Sequence, residues 1–241
     1  TGYHFVDLEK RAEDCGSVRE LMELYKQTLD YFMGLQVETE HINDEIHIQQ
    51  DINAFRSSLV YDCIERAMDL VEGGSVYSAD GGPTAGTISA GDSLAALDEI
   101  VFNQKLLTME QVLHAMSTNY EDMETVPAGP EIRAILLNKA PKFGNDDERA
   151  DKWVVELEDY IGSSYRYKYR SSKYGKGPVP CCYSYSQSPV TGNIAFGKSI
   201  GATPDGRKAG QPVNNGISPA NGSEKKGATA ACNSVMKLPS I

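Results

Sequence analysis

Chemistry in this chain rests on a short list of side chains. Tyr183-Ser184-Tyr185 offers two phenols and a hydroxyl that could hydrogen-bond a hydroxyl or carboxylate. Period-two alternation puts Tyr183 and Tyr185 on one face of an extended segment and Ser184 on the other, so only one set can point into a site. Asn193 adds an amide downstream, and Thr87 and Ser89 add hydroxyls in a Gly-rich stretch far upstream. Pro204-Asp205-Gly206 is a turn signature in which glycine takes a positive φ and aspartate bonds nearby backbone. Arg207, next in line, is suited to clamping a loop carbonyl or a carboxylate, a structural role for the Asp205-Gly206-Arg207 motif.

Metal and disulfide chemistry find little support. Cys15, Cys63, Cys181, Cys182 and Cys232 are irregularly spaced, with no Cys-x-x-Cys and no neighbouring His pair. His4, His41, His47 and His114 are scattered, and His41 and His47 do not share a helix face. Asn145-Asp146-Asp147 reads as a helix cap with dipole partners rather than a metal site. No metal is expected.

The elements that must position these groups are mostly helical. Ser17-Val18-Arg19-Glu20 has the form of a capping box and opens a long amphipathic helix through Leu21, Leu24, Tyr25, Leu29, Phe32, Leu35, Ile42 and Ile46. A second helix is predicted over 54–71, with Cys63 packed inside it and Gly73-Gly74 as its left-handed stop. Residues 77–91 read as a strand or loop, and Asp92 or Ser93 starts a helix through Phe102. Thr108-x-x-Gln111 caps another to about Tyr120, Pro130 opens a further one, and Asn145-Asp146-Asp147 caps one through Trp153, Leu157 and Tyr160. Residues 181–186 and 193–196 read as extended, and turn and loop prevail from Gly197 onward. Helices separated by short Gly-rich extended pieces make an α/β pattern, helix-rich with short buried strands.

Composition narrows the partners. With 241 residues, 24% charged, 40% hydrophobic and a net charge of −11, the chain is an ordinary globular polypeptide ill suited to a polyanion, so no nucleic acid is expected. Arg166, Lys168, Arg170, Lys173 and Lys176 interleave with Tyr165, Tyr167, Tyr169 and Tyr174, a pattern read as a half-buried strand or tethered loop. No apolar run approaches the roughly 20 residues of a membrane helix, and no signal-peptide pattern opens the chain, so the cytoplasm is expected and no membrane.

The decamer Gly201-Ala202-Thr203-Pro204-Asp205-Gly206-Arg207-Lys208-Ala209-Gly210, with Gly216-Ile217-Ser218-Pro219 and Ser234-Val235-Met236-Lys237-Leu238-Pro239 behind it, resembles the glycyl radical enzymes of the pyruvate formate-lyase superfamily. Asn138-Lys139-Ala140-Pro141-Lys142-Phe143-Gly144-Asn145-Asp146-Asp147, Gly73-Gly74-x-x-Tyr77 and Gly91-Asp92-Ser93-Leu94-Ala95-Ala96 are similar to segments of its dehydratase and decarboxylase branch, in the same order.

The resemblance implies a ten-stranded α/β barrel of which this chain (1–241) would be the second-half core. It implies elimination of water, an amine or a carboxyl group from a small polar substrate by radical hydrogen abstraction. It also implies a glycyl radical installed by a radical S-adenosylmethionine activase, and a homodimer at full length. The segment before the decamer lines the cavity in that family, which assigns Tyr183, Ser184, Tyr185 and Asn193 to substrate, with Thr87 as a further candidate. The family's radical strings, Gly-Cys-(Val/Ile)-Glu-Pro and Arg-Val-x-Gly-Tyr, do not occur here. Cys63-Ile64-Glu65 matches only the middle of the first, between Asp62 and Arg66, and Cys181-Cys182 stands too close to the decamer for the family's cysteine loop. The expectation is therefore a piece of a larger enzyme, inactive alone, with no catalytic residue assigned. The alternatives are formate C-acetyltransferase-type acyl transfer and a non-catalytic scaffold or binding protein that keeps the half-barrel.

Overall fold

The computed structural model describes residues 8, 10–77, 81–168, 184–187 and 191–239. Its chain forms two compact units, one of Thr1–Lys26, Pro83–Tyr160 and Gln187–Ile241, the other of Gln27–Gly82 and Ile161–Ser186. Eight α-helices are described: α1 (Val18–Gln50), α2 (Ala54–Ser58), α3 (Thr87–Ala96), α4 (Met109–Ser117), α5 (Gly129–Asn138), α6 (Glu148–Ser163), α7 (Gly192–Ser199) and α8 (Ala228–Met236). Two four-residue strands, β1 (Gly81–Thr84) and β2 (Ser184–Gln187), pair in a two-stranded sheet. Helix therefore dominates, and the described strands do not by themselves outline a barrel.

In the first unit the local signals act as expected. Ser17 Oγ accepts from Glu20 N at 3.3 Å and starts α1. Thr108 and Gln111 exchange side-chain and backbone bonds of 3.2 and 2.9 Å to start α4, which stops at Ser117 rather than near Tyr120 because Asn119 and Tyr120 both take positive φ. Pro130 sits in the first turn of α5. Asp147 caps α6 by accepting from Arg149 N at 3.1 Å. The apolar faces of these helices meet in a core of Leu97, Ile100, Leu107, Val112, Tyr120, Ile132 and Leu136. A smaller cluster of Ile88, Phe143 and Val154 is covered by Val235 and Leu238. Gly91 lets α3 approach α6, since a Cβ there would lie 2.3 Å from Val154 Cγ2.

Several expectations change. The Gly-rich stretch before Asp92 is not all loop: α3 starts at Thr87, after Gly86 at φ +88°, and continues as a π-helical turn over Leu97–Asn103. Asp92 is thus inside a helix, not at its cap. Residues 193–196 are helical in α7, and the Gly- and Pro-rich tail contains α8, because Gly227 at φ +85° turns the chain into a run of Ala and Ser.

In the second unit the helix predicted over 54–71 ends at Ser58. Asp62 and Ala67 take positive φ, which no α-helix accommodates. Asp69 organises the segment instead, accepting from Asn53 N (2.9 Å), Ser57 Oγ (2.7 Å) and Val71 N (3.1 Å). Arg66 Nη1 donates to the carbonyls of Gly73, Gly74 and Ser75 at 3.0–3.1 Å. Cys63 is buried, but in this turn-rich segment rather than on a helix face. Ser164–Lys168 is a π-helical turn and not a strand, and Tyr165 Oη donates to Gln36 Oε1 at 2.6 Å.

Candidate functional site

The 201–210 decamer folds as its turn chemistry requires. Gly206 N donates to Thr203 O at 3.0 Å and Thr203 N to Arg207 O at 3.0 Å, closing a turn in which Gly206 has φ +92°. A Cβ on Gly206 would stand 2.9 Å from Leu137 Cγ. Asp205 Oδ1 accepts from Thr203 Oγ1 at 2.5 Å and from Arg207 N at 3.2 Å. The Arg207 guanidinium spans the loop, donating to Gln211 O (2.6 Å), Lys208 O (3.2 Å), Thr203 Oγ1 (3.2 Å) and Gly201 O. Neighbouring segments hold the loop from outside through Tyr120 Oη after α4 to Thr203 O (2.7 Å), Arg133 Nε on α5 to Gly206 O (2.9 Å) and Lys142 Nζ after α5 to Asp205 O (2.8 Å).

This loop walls a cavity of about 670 Å³ that lies entirely within the first unit. Other walls come from Ser89 and Asp92 on α3, Lys142 after α5, Asn193 on α7, and the 211–225 loops. Those loops are tied down by two asparagines. Asn214 Oδ1 accepts from Ser89 N and Ser89 Oγ at 3.0 and 3.1 Å, and Asn145 Oδ1 accepts from Lys225 N and Lys226 N at 2.7 and 3.2 Å. Gly144, at φ +88°, lets Pro219 pack where a Cβ would lie 2.2 Å from its Cγ.

Asp92 is the unusual group. It is fully buried; Oδ1 accepts from Phe143 N at 2.7 Å, and Oδ2 has no hydrogen-bond partner among the described residues. Burial pushes its carboxyl up to about 7 against the pull of Lys142 and the Phe143 amide, with Asp205 and Asp151 adding to the rise.

Of the residues assigned from the sequence, Asn193, Asp205, Gly206 and Arg207 line the cavity together. Thr87 is buried at the start of α3 and does not line it, whereas Ser89, one half-turn on, does. Ser184 and Tyr185 belong to β2, and Tyr183, Cys181 and Cys182 lie outside the described residues. Sequence reasoning did not single out Asn214, or the burial of Asp92 and Lys142. The one available signal was an acid set among small apolar residues in Gly91-Asp92-Ser93-Leu94-Ala95-Ala96. No cysteine described here lines the cavity, and no group of three metal-ligating side chains is found among the described residues. No helix is long and apolar enough to cross a membrane among them.

The pyruvate formate lyase-like family model matches residues 2–196. The chain belongs to that family. It is 34% identical over 242 aligned residues to the probable dehydratase YbiW of Escherichia coli, covering 99% of this chain and 29% of YbiW. The glycerol-bound B12-independent glycerol dehydratase of Clostridium butyricum superimposes with a TM-score of 0.83 at 34% identity, covering 95% of this chain and 27% of that one. A glycyl radical enzyme of Archaeoglobus fulgidus gives a TM-score of 0.84 at 26% identity, covering 99% and 28%. The chain thus spans under a third of the length of these relatives, and the glycyl radical superfamily and its dehydratase branch, read from four motifs in order, are where it falls.

Proposed function

We propose that this chain is the second-half core of a barrel-forming glycyl radical lyase that eliminates water from a small hydroxylated substrate. The observation that carries this reading is the 34% identity to a dehydratase along 99% of the chain. The partners of that reaction are a radical S-adenosylmethionine activase and, at full length, a second copy of the protein. A glycyl radical, once installed, supplies hydrogen-atom abstraction from carbon. The chain's own part is binding and enclosure. Tyr183, Ser184, Tyr185 and Asn193, with Thr87, are assigned to the substrate, and Asp205, Gly206 and Arg207 hold the wall in place by clamping backbone, which keeps water out of a reaction that oxygen and solvent would quench.

The test is anaerobic. The full-length protein is incubated with an activase, S-adenosylmethionine and reductant, and then offered a vicinal diol, an amino alcohol and a hydroxy acid. A glycyl radical signal in electron paramagnetic resonance, with an aldehyde or ketone formed from the diol, is the expected result. Amine or carbon dioxide release without dehydration would move the protein to another elimination, and acetyl transfer from pyruvate to coenzyme A would replace the reading altogether. Absence of any radical would leave the scaffold reading.

A further inference from the structure

The apolar period that marks α1 in the sequence splits over two sides of the helix. Met33 and Val37 are buried, whereas Phe32, Leu35, Ile42 and Ile46 stay 42–58% exposed. At 3.6 residues per turn those four, with Thr39 between them, fall within an arc of roughly 80° on the side away from Met33 and Val37. Their spacing is the a and d pattern of a helix seam, and it runs along the helix for about 21 Å. Tyr31 stands edge-on to Phe32 at one end, with ring centroids 5.4 Å apart. The whole row lies in the second unit. A single exposed leucine is ordinary, but a continuous apolar row two heptads long marks a docking face.

Charge and length say what docks there. Residues 27–50 contain Asp30, Glu38, Glu40, Asp44 and Glu45 and neither lysine nor arginine, and Glu38 and Glu45 directly flank the row. A second copy of α1 would bring the same carboxylates to the seam, whereas a helix with lysine or arginine at its flanks gains from them. The chain covers 29% of YbiW and 27% of the glycerol dehydratase, so more than two thirds of such a polypeptide lies outside these residues. A tethered segment meets the seam at high effective concentration and outcompetes a free partner. We propose that the outward face of α1 is the seat of a helix from the same polypeptide, outside residues 1–241, that carries its own apolar a and d row with lysine or arginine beside it. A helix fits because a narrow row of this length interlocks with a second helix crossing at about 20°. The inference rests on the reading of this chain as part of a longer lyase and deepens it by naming the face through which the parts join.

The experiment uses the full-length, unactivated protein with a photoreactive benzophenone side chain in place of Leu35 or Ile42, irradiated and mapped by mass spectrometry. The expected product keeps the mass of one polypeptide and joins α1 to a peptide outside residues 1–241 that contains an apolar heptad and a flanking lysine or arginine. In a separate protein, Ile42→Cys is expected to react with iodoacetamide about ten-fold more slowly, or slower still, when folded than in urea. A product of twice the mass would put a second copy on this face and overturn the proposal. So would a bridge that stays within residues 1–241, a bridged peptide with no basic residue, no bridge from either position, or an Ile42→Cys thiol as reactive folded as unfolded. Neither measurement involves the radical. A protein that dehydrates a diol but fails here loses only this interface, and one that passes here without ever forming a radical keeps the interface and loses the lyase reading.

Discussion

At the scale of single residues, Asp92 shows how far burial can move a group whose neighbours include a lysine. Its native carboxyl titrates near 7, well above the 3.8 of an exposed aspartate. The folded state therefore holds the proton more tightly than the unfolded chain, and raising the pH from about 4 to 7 costs stability on this account, with the loss complete above 7. The full shift corresponds to something on the order of 4 kcal/mol. Asp92→Asn keeps an oxygen for the Phe143 amide and cannot ionise. Urea midpoints of the two proteins at pH 5, 6, 7 and 8 are expected to diverge in favour of the variant as pH rises, then run parallel. Carboxyls held low by partners, such as Asp146 beside Asn233 and Lys237, and Asp147 beside Arg149, change stability in the opposite sense under acid. They are common to both proteins and cancel in the difference. Parallel curves throughout would mean that water reaches Asp92.

At the scale of elements, the tail of the chain is held by electrostatics rather than by a broad apolar face. Ser234 Oγ and Lys237 Nζ, near the end of α8, both donate to Asp151 Oδ2 on α6, at 3.0 and 2.7 Å, and Lys237 also reaches Asp146 Oδ1 at 2.9 Å. Asp151 is fully buried, and these two donors satisfy its Oδ2. The hydrogen bonds it donates to Asp151 and Asp146 hold the Lys237 ammonium well above its ordinary range. The Ser-Val-x-Lys-Leu string is thus a helix anchor: Ser234 and Lys237 face Asp151 while Val235 and Leu238 cover Ile88, Phe143 and Val154. Lys237→Met preserves the stem and removes the charge. It is expected to lower stability by about 2 kcal/mol, the cost of a lost charged hydrogen bond at a partly exposed donor, while Lys237→Arg recovers part of it. Equal stability of all three proteins in urea would show that the anchor is apolar.

What could be read from the sequence follows the range of the forces involved. Caps are local, so Ser17, Thr108, Pro130 and Asp147 marked helix starts correctly. The end of α2 is set by Asp69 accepting from Asn53 and Ser57, more than ten residues away, and no periodicity encodes that. Glycine density hid the start of α3 and all of α8 for a related reason: Gly86 and Gly227 bend the chain into helices rather than out of them. The Asp205-Gly206-Arg207 loop was legible because a turn carries its own chemistry. The burial of Asp92 was not, since it arises only where α3 packs against the Phe143 segment.

For the whole molecule, the two compact units raise the question of whether they unfold together, and the chain contains its own reporter. Trp153 is the single tryptophan. It is buried in the first unit, where Arg19 and Lys152 stand over its ring at 5.0 and 4.7 Å from the centroid. Its fluorescence therefore follows the first unit, while helical circular dichroism follows both. Asp69 lies in the second unit and satisfies three donors there, so Asp69→Ala leaves Asn53 N, Ser57 Oγ and Val71 N short of an acceptor at a cost of about 3 kcal/mol. If the units unfold independently, Asp69→Ala moves the second unit's share of the dichroism to lower urea and leaves the tryptophan transition in place, whereas Lys237→Met moves the tryptophan transition together with the first unit's share of the dichroism. Independent behaviour is the expected outcome, because each unit has its own polar hub, Asp69 in one and Asp151 in the other. A common shift of both probes in both variants would instead define a single cooperative body, with one free energy shared across it.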